Sequence, residues 1–352
     1  MREFVHVGHP ARVVFGAGAL RHLPRELELL GARRALVLST PGHAAAAERV
    51  ARGLGAGAAG VFARALMHVP LEVAREARAE ARRLQADCVI ALGGGSTTGL
   101  GKAIALESGI PILAVPTTYA GSEVTPIYGL TEAGVKRTGR DARVLPRTVI
   151  YDAELTLDLP LRLTVTSGLN AIAHAAEGLY ARDGNPLMSL LAEEAIRCLS
   201  RALPSLGANP RDLAARSQAL YGAWLCGTVL GSVGMALHHK ICHTLGGGFD
   251  LPHADVHAVV LPHAIEYNAT AAPQAMAALA RALTSEAPAR ALYDLARAHG
   301  APHSLRELGM READLDRAAD LASTDPYWNP RPIERSAVRI LLQRAWEGAA
   351  PG

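Results

Sequence analysis

Residues 1–158 and 159–352 follow two different periodicities, and that switch constrains the fold more than any single motif. In the first part, short apolar runs of β type alternate with helical patterns. The runs at 11–15, 34–39, 61–66, 88–92, 112–116 and 149–152 read as strands, and 19–30, 43–54, 71–84 and 98–107 as helices. Strands separated by helices build βαβ units and a parallel sheet. The stretch GLGAGAAG at 53–60 reads as a helix end plus connector. Beyond residue 158, Ala/Leu-rich segments with helical spacing take over, at 167–181, 186–203, 210–230, 232–246, 255–268, 272–283, 288–299 and 336–346. Asn185-Pro186, Asn209-Pro210 and Asn329-Pro330 punctuate them, because the residue before proline leaves the helical region. The expected fold is an α/β domain over 1–158, with a parallel, Rossmann-like dinucleotide-binding sheet, and an all-α domain over 159–352. A chain of 352 residues is long enough for two such cores.

Composition narrows the function classes. The formal charge of +3 is small and its Lys and Arg are scattered, which argues against a nucleic-acid surface. No apolar run approaches the ~20 residues of a membrane span, and the first residues carry charge without an apolar h-region. Cys88, Cys198, Cys226 and Cys242 are far apart with no CxxC pair, as in reduced, buried thiols. A cytoplasmic protein with no membrane or nucleic-acid partner is expected.

CVIALGGGSTTGLGKAIAL at 88–106 is a strand, a glycine-rich turn and a helix. Glycines let the backbone approach a phosphate, and the free amides of the helix start favour an anion. The loop lacks the GK[ST] of a Walker motif and the spacing of GxGxxG. Gly94, Gly95 and Ser96 are the candidate phosphate contacts. A second polar turn, VPTTYAGSEVT at 115–125, adds Thr117, Thr118 and Ser122. The strand at 34–39 ends in Ser39 and Thr40 without the acid that NAD-selective sites place there, so NADH and NADPH are both admissible.

Of fourteen histidines, six fall between 238 and 263. His239 and His243 share a helical face, as do Asn170 and His174, each pair four residues apart. His253 follows a Gly-Gly-Gly turn and Pro252 at the start of another helix. His238, His257 and His263 have the weaker claims.

GGGSTTGLGKA, PTTYAGSEVT, the Asn170/His174 helix, HHKICHTLGG, LPHADVHAVVLPH and NPRPI at 329–333 resemble the iron-containing alcohol dehydrogenase superfamily along nearly the whole chain. The resemblance implies the dehydroquinate synthase-like fold, a nicotinamide cofactor and a homodimer. It also implies that Lys136, which opens the basic run KRTGR, lies near the nicotinamide ribose. In metal-dependent members an Asp and three His hold Fe²⁺ or Zn²⁺, at positions that fall here on Asn170, His174, His239 and His253. His243 matches a non-ligand histidine beside the substrate.

Three departures mark a branch. Asn170 replaces the ligand Asp, Gly99 replaces the Asp of the GGGSxxD turn, and the PTT loop is shortened. With VKRTGRDARVLPRTVIYD at 135–152, these look like the branch that reduces the carbon–carbon double bond of maleylacetate to 3-oxoadipate in bacterial degradation of resorcinol, hydroxyquinol and chlorocatechol. Asn offers only a neutral carbonyl oxygen, so the site is expected to work without metal. The imidazoles then serve a dicarboxylate substrate as donors and anion contacts. His243 and His253 are expected to stabilise an enolate or deliver the proton. His174 and His239 are expected to bind a carboxylate or the oxyanion, with raised pKa values beside a dianion. Tyr119 is a further candidate donor. The competing reading is an Fe- or Zn-dependent alcohol dehydrogenase acting on a small alcohol or aldehyde.

Overall fold

The computed structural model describes His6, Gly8 and residues 12–132 and 135–352, with backbone alone at 135 and 136. The chain separates into two compact units whose division falls between Asp158 and Leu159.

The first unit, Gly8–Asp158, holds a six-stranded sheet, with every neighbouring pair parallel. Its strands are β1 (Arg12–Phe15), β2 (Ala35–Leu38), β3 (Ala58–Phe62), β4 (Cys88–Gly93), β5 (Ile112–Pro116) and β8 (Thr148–Tyr151). The order across the sheet is β1-β8-β5-β4-β2-β3. Helices α1 (Leu23–Leu29), α2 (Ala44–Leu54), α3 (Leu71–Arg83) and α4 (Gly95–Ser108) cover it. Alternate residues feed opposite faces, as the pleat requires. Leu36, Leu38, Val89, Ala91 and Ile112 pack in one core with the buried side of α3 and α4. Ala35, Val37, Ile90, Leu92 and Val115 pack in another with α1 and α2.

From β2 the chain moves outward to β3, and from β4 it moves the other way to β5. The carboxyl ends of β2 and β4 therefore flank a topological switch point, the place where open α/β sheets bind ligands.

Strand β3 corrects two expectations. It spans Ala58–Phe62, so part of GLGAGAAG is strand, and residues 63–66 lie outside it. Ala58, Ala59 and Gly60 carry no β-branched signal. They form an edge strand through pairing with β2, whose register shifts between Ala35 and Leu36. A Cβ at Gly60 would lie 2.9 Å from Leu84 Cδ1, so a larger residue there would have to displace that leucine's tip. The basic run KRTGR is also strand: β7 (Val135–Arg140) pairs antiparallel with β6 (Ile127–Glu132).

The second unit is helical over α5 (Leu161–Leu179), α6 (Pro186–Ala208), α7 (Leu213–Ser232), α8 (Leu237–Phe249), α9 (His253–Asn268), α10 (Pro273–Leu283), α11 (Pro288–Ala298), α12 (Leu315–Ser323) and α13 (Arg335–Glu347). Every residue of α5 from Thr164 to Gly178 is buried, as expected of a helix packed on all sides. Small residues permit the crowding. A Cβ at Gly178 would lie 2.2 Å from Val229 Cγ1 of α7, and one at Gly168 would lie 2.9 Å from Leu203 Cδ2 of α6. Helix α12 has no counterpart in the sequence reading. Gly246–Gly248, expected as a turn, continue α8 to Phe249, and the helix ends at Asp250 with φ 53°. Among the described residues no single helix is long and apolar enough to cross a membrane.

Candidate active site

In the first unit the glycine-rich turn follows from the packing beneath it. Strand β4 ends at Gly93 (φ 152°), and Gly94 precedes α4 with no side-chain cap on the helix start. A Cβ at Gly94 would lie 2.8 Å from Thr118 Oγ1, so the two polar turns touch only because position 94 is glycine. The Thr117 amide donates to the Gly93 carbonyl at 3.1 Å, joining the ends of β4 and β5. Gly94, Gly95, Ser96, Thr118 and Ser122 are half-buried, and Thr117 is buried. Thr40 Oγ1 lies 3.0 Å from His43 Nδ1, and Ser39 is fully buried with its hydroxyl on the Thr40 carbonyl.

Lys102 was absent from the sequence reading of the site, and it holds the second turn from below. Its fully buried ammonium donates to the carbonyls of Ser122 (2.6 Å), Thr125 (2.8 Å) and Ile127 (2.6 Å). Burial pulls its pKa down to about 7, against the raising effect of Glu123. Tyr151 donates to Glu123 Oε1 at 2.8 Å, tying the same turn to β8. Gly99, where the resemblance implies Asp, lies against Val69. A Cβ there would lie 2.7 Å from Val69 Cγ2, and Val69 and His68 both have left-handed backbones (φ 49° and 61°). Thr131 pins that pair, donating through Oγ1 to the His68 carbonyl and through its amide to that of Val69.

Tyr119 is fully buried in the first unit. Its expected role as a substrate donor stays an expectation, now for a side chain with no exposed surface. The backbone of Lys136 pairs with Thr131 in the β6–β7 hairpin, and its side chain lies outside the described residues.

The second unit gathers six imidazoles from three helices: His174 on α5, His238, His239 and His243 on α8, and His253 and His257 on α9. Ring centroids separate His174 from His239 by 5.0 Å, His239 from His257 by 5.1 Å, His253 from His257 by 4.4 Å and His243 from His253 by 6.5 Å. His174, His238, His239 and His257 are buried, whereas His243 and His253 are half-buried. His238 and His257 therefore belong to the cluster, against their weak standing in the sequence. His263 is also buried.

Glu177, unremarked in the sequence, organises the cluster. It sits one turn beyond His174 on α5 and is fully buried. Its carboxylate accepts from the amides of Ala236 (2.7 Å) and His238 (2.7 Å) and from His239 Nδ1 (2.7 Å). The amide between those two, Leu237, donates to Asn329 Oδ1 at 3.3 Å, and Asn329 exchanges amide hydrogen bonds with Asn268. Three successive orphan donors at the start of α8 are thus satisfied by remote side chains. That fixes the rotation of α8, and with it His239 and His243. His243 Nδ1 meets the Tyr327 hydroxyl at 3.1 Å. The signal available for Glu177 was its place three residues after His174 on the same helical face.

Burial dominates the electrostatics. It pushes Glu177 up to about 7, opposed by its three N–H donors, and pushes His239 down to about 3. Burial, with neighbouring imidazoles, also holds His174, His238 and His257 well below the usual histidine range. The rise expected from a substrate dianion is the reverse of what the protein alone imposes. With Glu177 ionised, His239 carries its proton on Nδ1 and presents a lone pair on Nε2.

The divalent-ion position implied by the resemblance does not fit these residues. Asn170, buried at that position, offers a neutral oxygen with no hydrogen-bond partner among the described residues. The rings of His174 and His239 stack at 28° with centroids 5.0 Å apart. Among the described residues, the His, Cys, Asp or Glu ligand atoms that gather within 4.8 Å of one another are those of His238, Cys242 and His257.

Comparison with known proteins gives the family. Residues 10–153 match the family described as iron-containing alcohol dehydrogenase, and residues 164–346 match the Fe-containing alcohol dehydrogenase family, C-terminal. The chain is 65% identical over 351 residues to the maleylacetate reductase of Burkholderia cepacia, covering 100% of both chains. It is 56% identical over 349 residues to that of Pseudomonas sp. strain P51, covering 99% of each. The crystal structure of maleylacetate reductase from Agrobacterium tumefaciens superposes with a TM-score of 0.96 at 57% identity, covering 100% of both chains. The chain belongs to the iron-containing alcohol dehydrogenase family.

Proposed function

We propose that this protein is an oxidoreductase that reduces the carbon–carbon double bond of maleylacetate to 3-oxoadipate with NADH or NADPH, and that it does so without a metal. Full-length identity of 65% to a maleylacetate reductase supports the reaction. The observation that carries metal independence is Asn170, a neutral residue where a divalent ion needs a carboxylate.

The turn of Gly94, Gly95 and Ser96 at the β2/β4 switch point holds the cofactor phosphates, with Thr117, Thr118 and Ser122 beside it and Ser39 and Thr40 at the ribose end. Lys136 at the nicotinamide ribose rests on family resemblance, as do a homodimer and a cytoplasmic location. When bound, the reduced nicotinamide supplies a hydride.

Hydride addition to the enone carbon β to the ketone moves the π electrons onto the ketone oxygen. That enolate needs donors, and its α-carbon then needs a proton. Two neighbouring imidazoles on α8 take opposite tautomers. Glu177 draws the His239 proton to Nδ1, leaving a lone pair on Nε2. The His243 Nδ1–Tyr327 hydroxyl contact allows the other tautomer, in which the hydroxyl donates to Nδ1 and Nε2 keeps an N–H as a donor. His243 and His253 are the half-buried pair, and they carry enolate stabilisation and proton delivery. His174, His239 and Asn170 line the buried side, where they orient the substrate and exclude water.

Replacing His243 or His253 with Ala should lower kcat by about 10²–10⁴-fold, the usual worth of a general acid or base. The KM for cofactor should change little. Steady-state kinetics with maleylacetate decide this, and unchanged turnover in both variants sinks the assignment.

A further inference from the structure

Cys242 takes no part in the proposed reaction, yet it is fully buried beside two equally buried histidines. It lies one helical turn after His238 on α8, and His257 reaches the same point from α9. Cys242 Sγ is 3.6 Å from His238 Nε2, and His238 Nε2 is 2.8 Å from His257 Nδ1. The three ligand atoms all lie within 4.8 Å of one another.

Tetrahedral zinc, with bonds of about 2.0 Å to nitrogen and about 2.3 Å to sulfur, separates a nitrogen from a sulfur ligand by about 3.5 Å and two nitrogens by about 3.3 Å. The sulfur–nitrogen spacing already matches. The nitrogen–nitrogen spacing is short because a proton bridges the pair. The outer ring nitrogens, His238 Nδ1 and His257 Nε2, have no hydrogen-bond partner among the described residues.

We propose that His238, Cys242 and His257 form a binding site for a thiophilic cation of the Zn²⁺ class, separate from the family's metal position at 170, 174, 239 and 253. On binding, the bridging imidazole proton moves to the unpartnered nitrogen of its own ring. The Cys242 thiol releases one proton to solvent, and the cation takes two nitrogens and one thiolate, with water as fourth ligand. The half-buried ring of His253 is in contact with that of His257, with centroids 4.4 Å apart. An occupied site therefore places a cation one ring away from the proposed proton donor, and it inhibits the enzyme.

Co²⁺ is the probe, because a thiolate ligand gives it an intense near-ultraviolet charge-transfer band that imidazole ligands do not. The chelator-treated full chain should bind one Co²⁺ with that band. Cys242→Ser should lose the band and bind Zn²⁺ at least tenfold more weakly in a chromophoric competition assay, with circular dichroism confirming its fold. Zn²⁺ should inhibit the unmodified protein at concentrations that spare Cys242→Ser. Absence of binding, a Co²⁺ spectrum without the charge-transfer band, or the same band in Cys242→Ser overturns the proposal.

Discussion

Two helix N-termini in this protein are finished in opposite ways. Helix α4 starts behind Gly94 with no side-chain cap. At α8 the amides of Ala236, Leu237 and His238 are all taken, two by Glu177 and one by Asn329. Every helix begins with such orphan donors. At α4 the sequence answers with glycines, which let a ligand's phosphate come close. At α8 it answers with a buried carboxylate from another helix, which removes anion binding there and fixes a row of imidazoles. A bare N-terminus leaves donors open for the proposed cofactor phosphates, and a filled one holds the proposed catalytic imidazoles in place.

The largest effect should come from emptying the filled end. Glu177→Ala strands two backbone amides and His239 Nδ1, at roughly 1–3 kcal/mol for each buried donor left without a partner. Urea unfolding should register that loss as a lower midpoint. Glu177→Gln keeps the volume and an acceptor oxygen but loses control of the His239 tautomer. Its kcat should fall by about 10–100-fold, the range typical of groups that orient an active imidazole. A Gln variant with unaltered kcat would reduce Glu177 to a helix cap.

Filling the bare end should act on a different quantity. Gly94→Ala puts a methyl group against Thr118 Oγ1, and the KM for NADH should rise about tenfold, equivalent to about 1.4 kcal/mol, with kcat at saturation nearly kept. Paired with Thr118→Ala, it should recover part of that loss. If Gly94→Ala leaves cofactor binding untouched, phosphate binding at this turn is excluded.

A gentler test uses pH. Burial holds His174, His238, His239 and His257 below the ordinary value of 6.5, so the folded state resists their protonation. Their contribution to stability is complete above about pH 6.5 and declines as pH falls. Glu177, raised to about 7, works the other way and adds stability as pH drops from 7 toward its ordinary 4.5. The imidazoles outnumber it, so the unfolding midpoint should fall below pH 6.5 with net proton uptake. The fall should be steeper in Glu177→Gln, which lacks the opposing carboxylate.

The bare end was legible in the sequence, and most of the filled end was not. GGGSTTG announces itself because glycine runs between a strand and a helix have few other uses. The histidines could be paired by their i,i+4 spacing. Glu177 and Asn329 could not be assigned, since their partners are backbone amides 59 to 92 positions away and no local pattern encodes that. Nothing local marks Lys102 either, since its partners are carbonyls of the turn at 122–127. Tyr119 shows another limit: its place in a polar turn did not reveal that it would be fully buried. Strand β3 was displaced for a related reason, since Ala and Gly form that edge only because β2 offers a partner.

The imidazole wall is proposed to work on a conjugated double bond without a divalent ion. Its most direct test is oxidation of NADH by the chelator-treated protein, with maleylacetate as substrate and no added metal. Full turnover is expected, with 3-oxoadipate formed in step with NADH consumed. No oxidation under those conditions, with activity appearing on a small aldehyde once Fe²⁺ or Zn²⁺ is added, would contradict it.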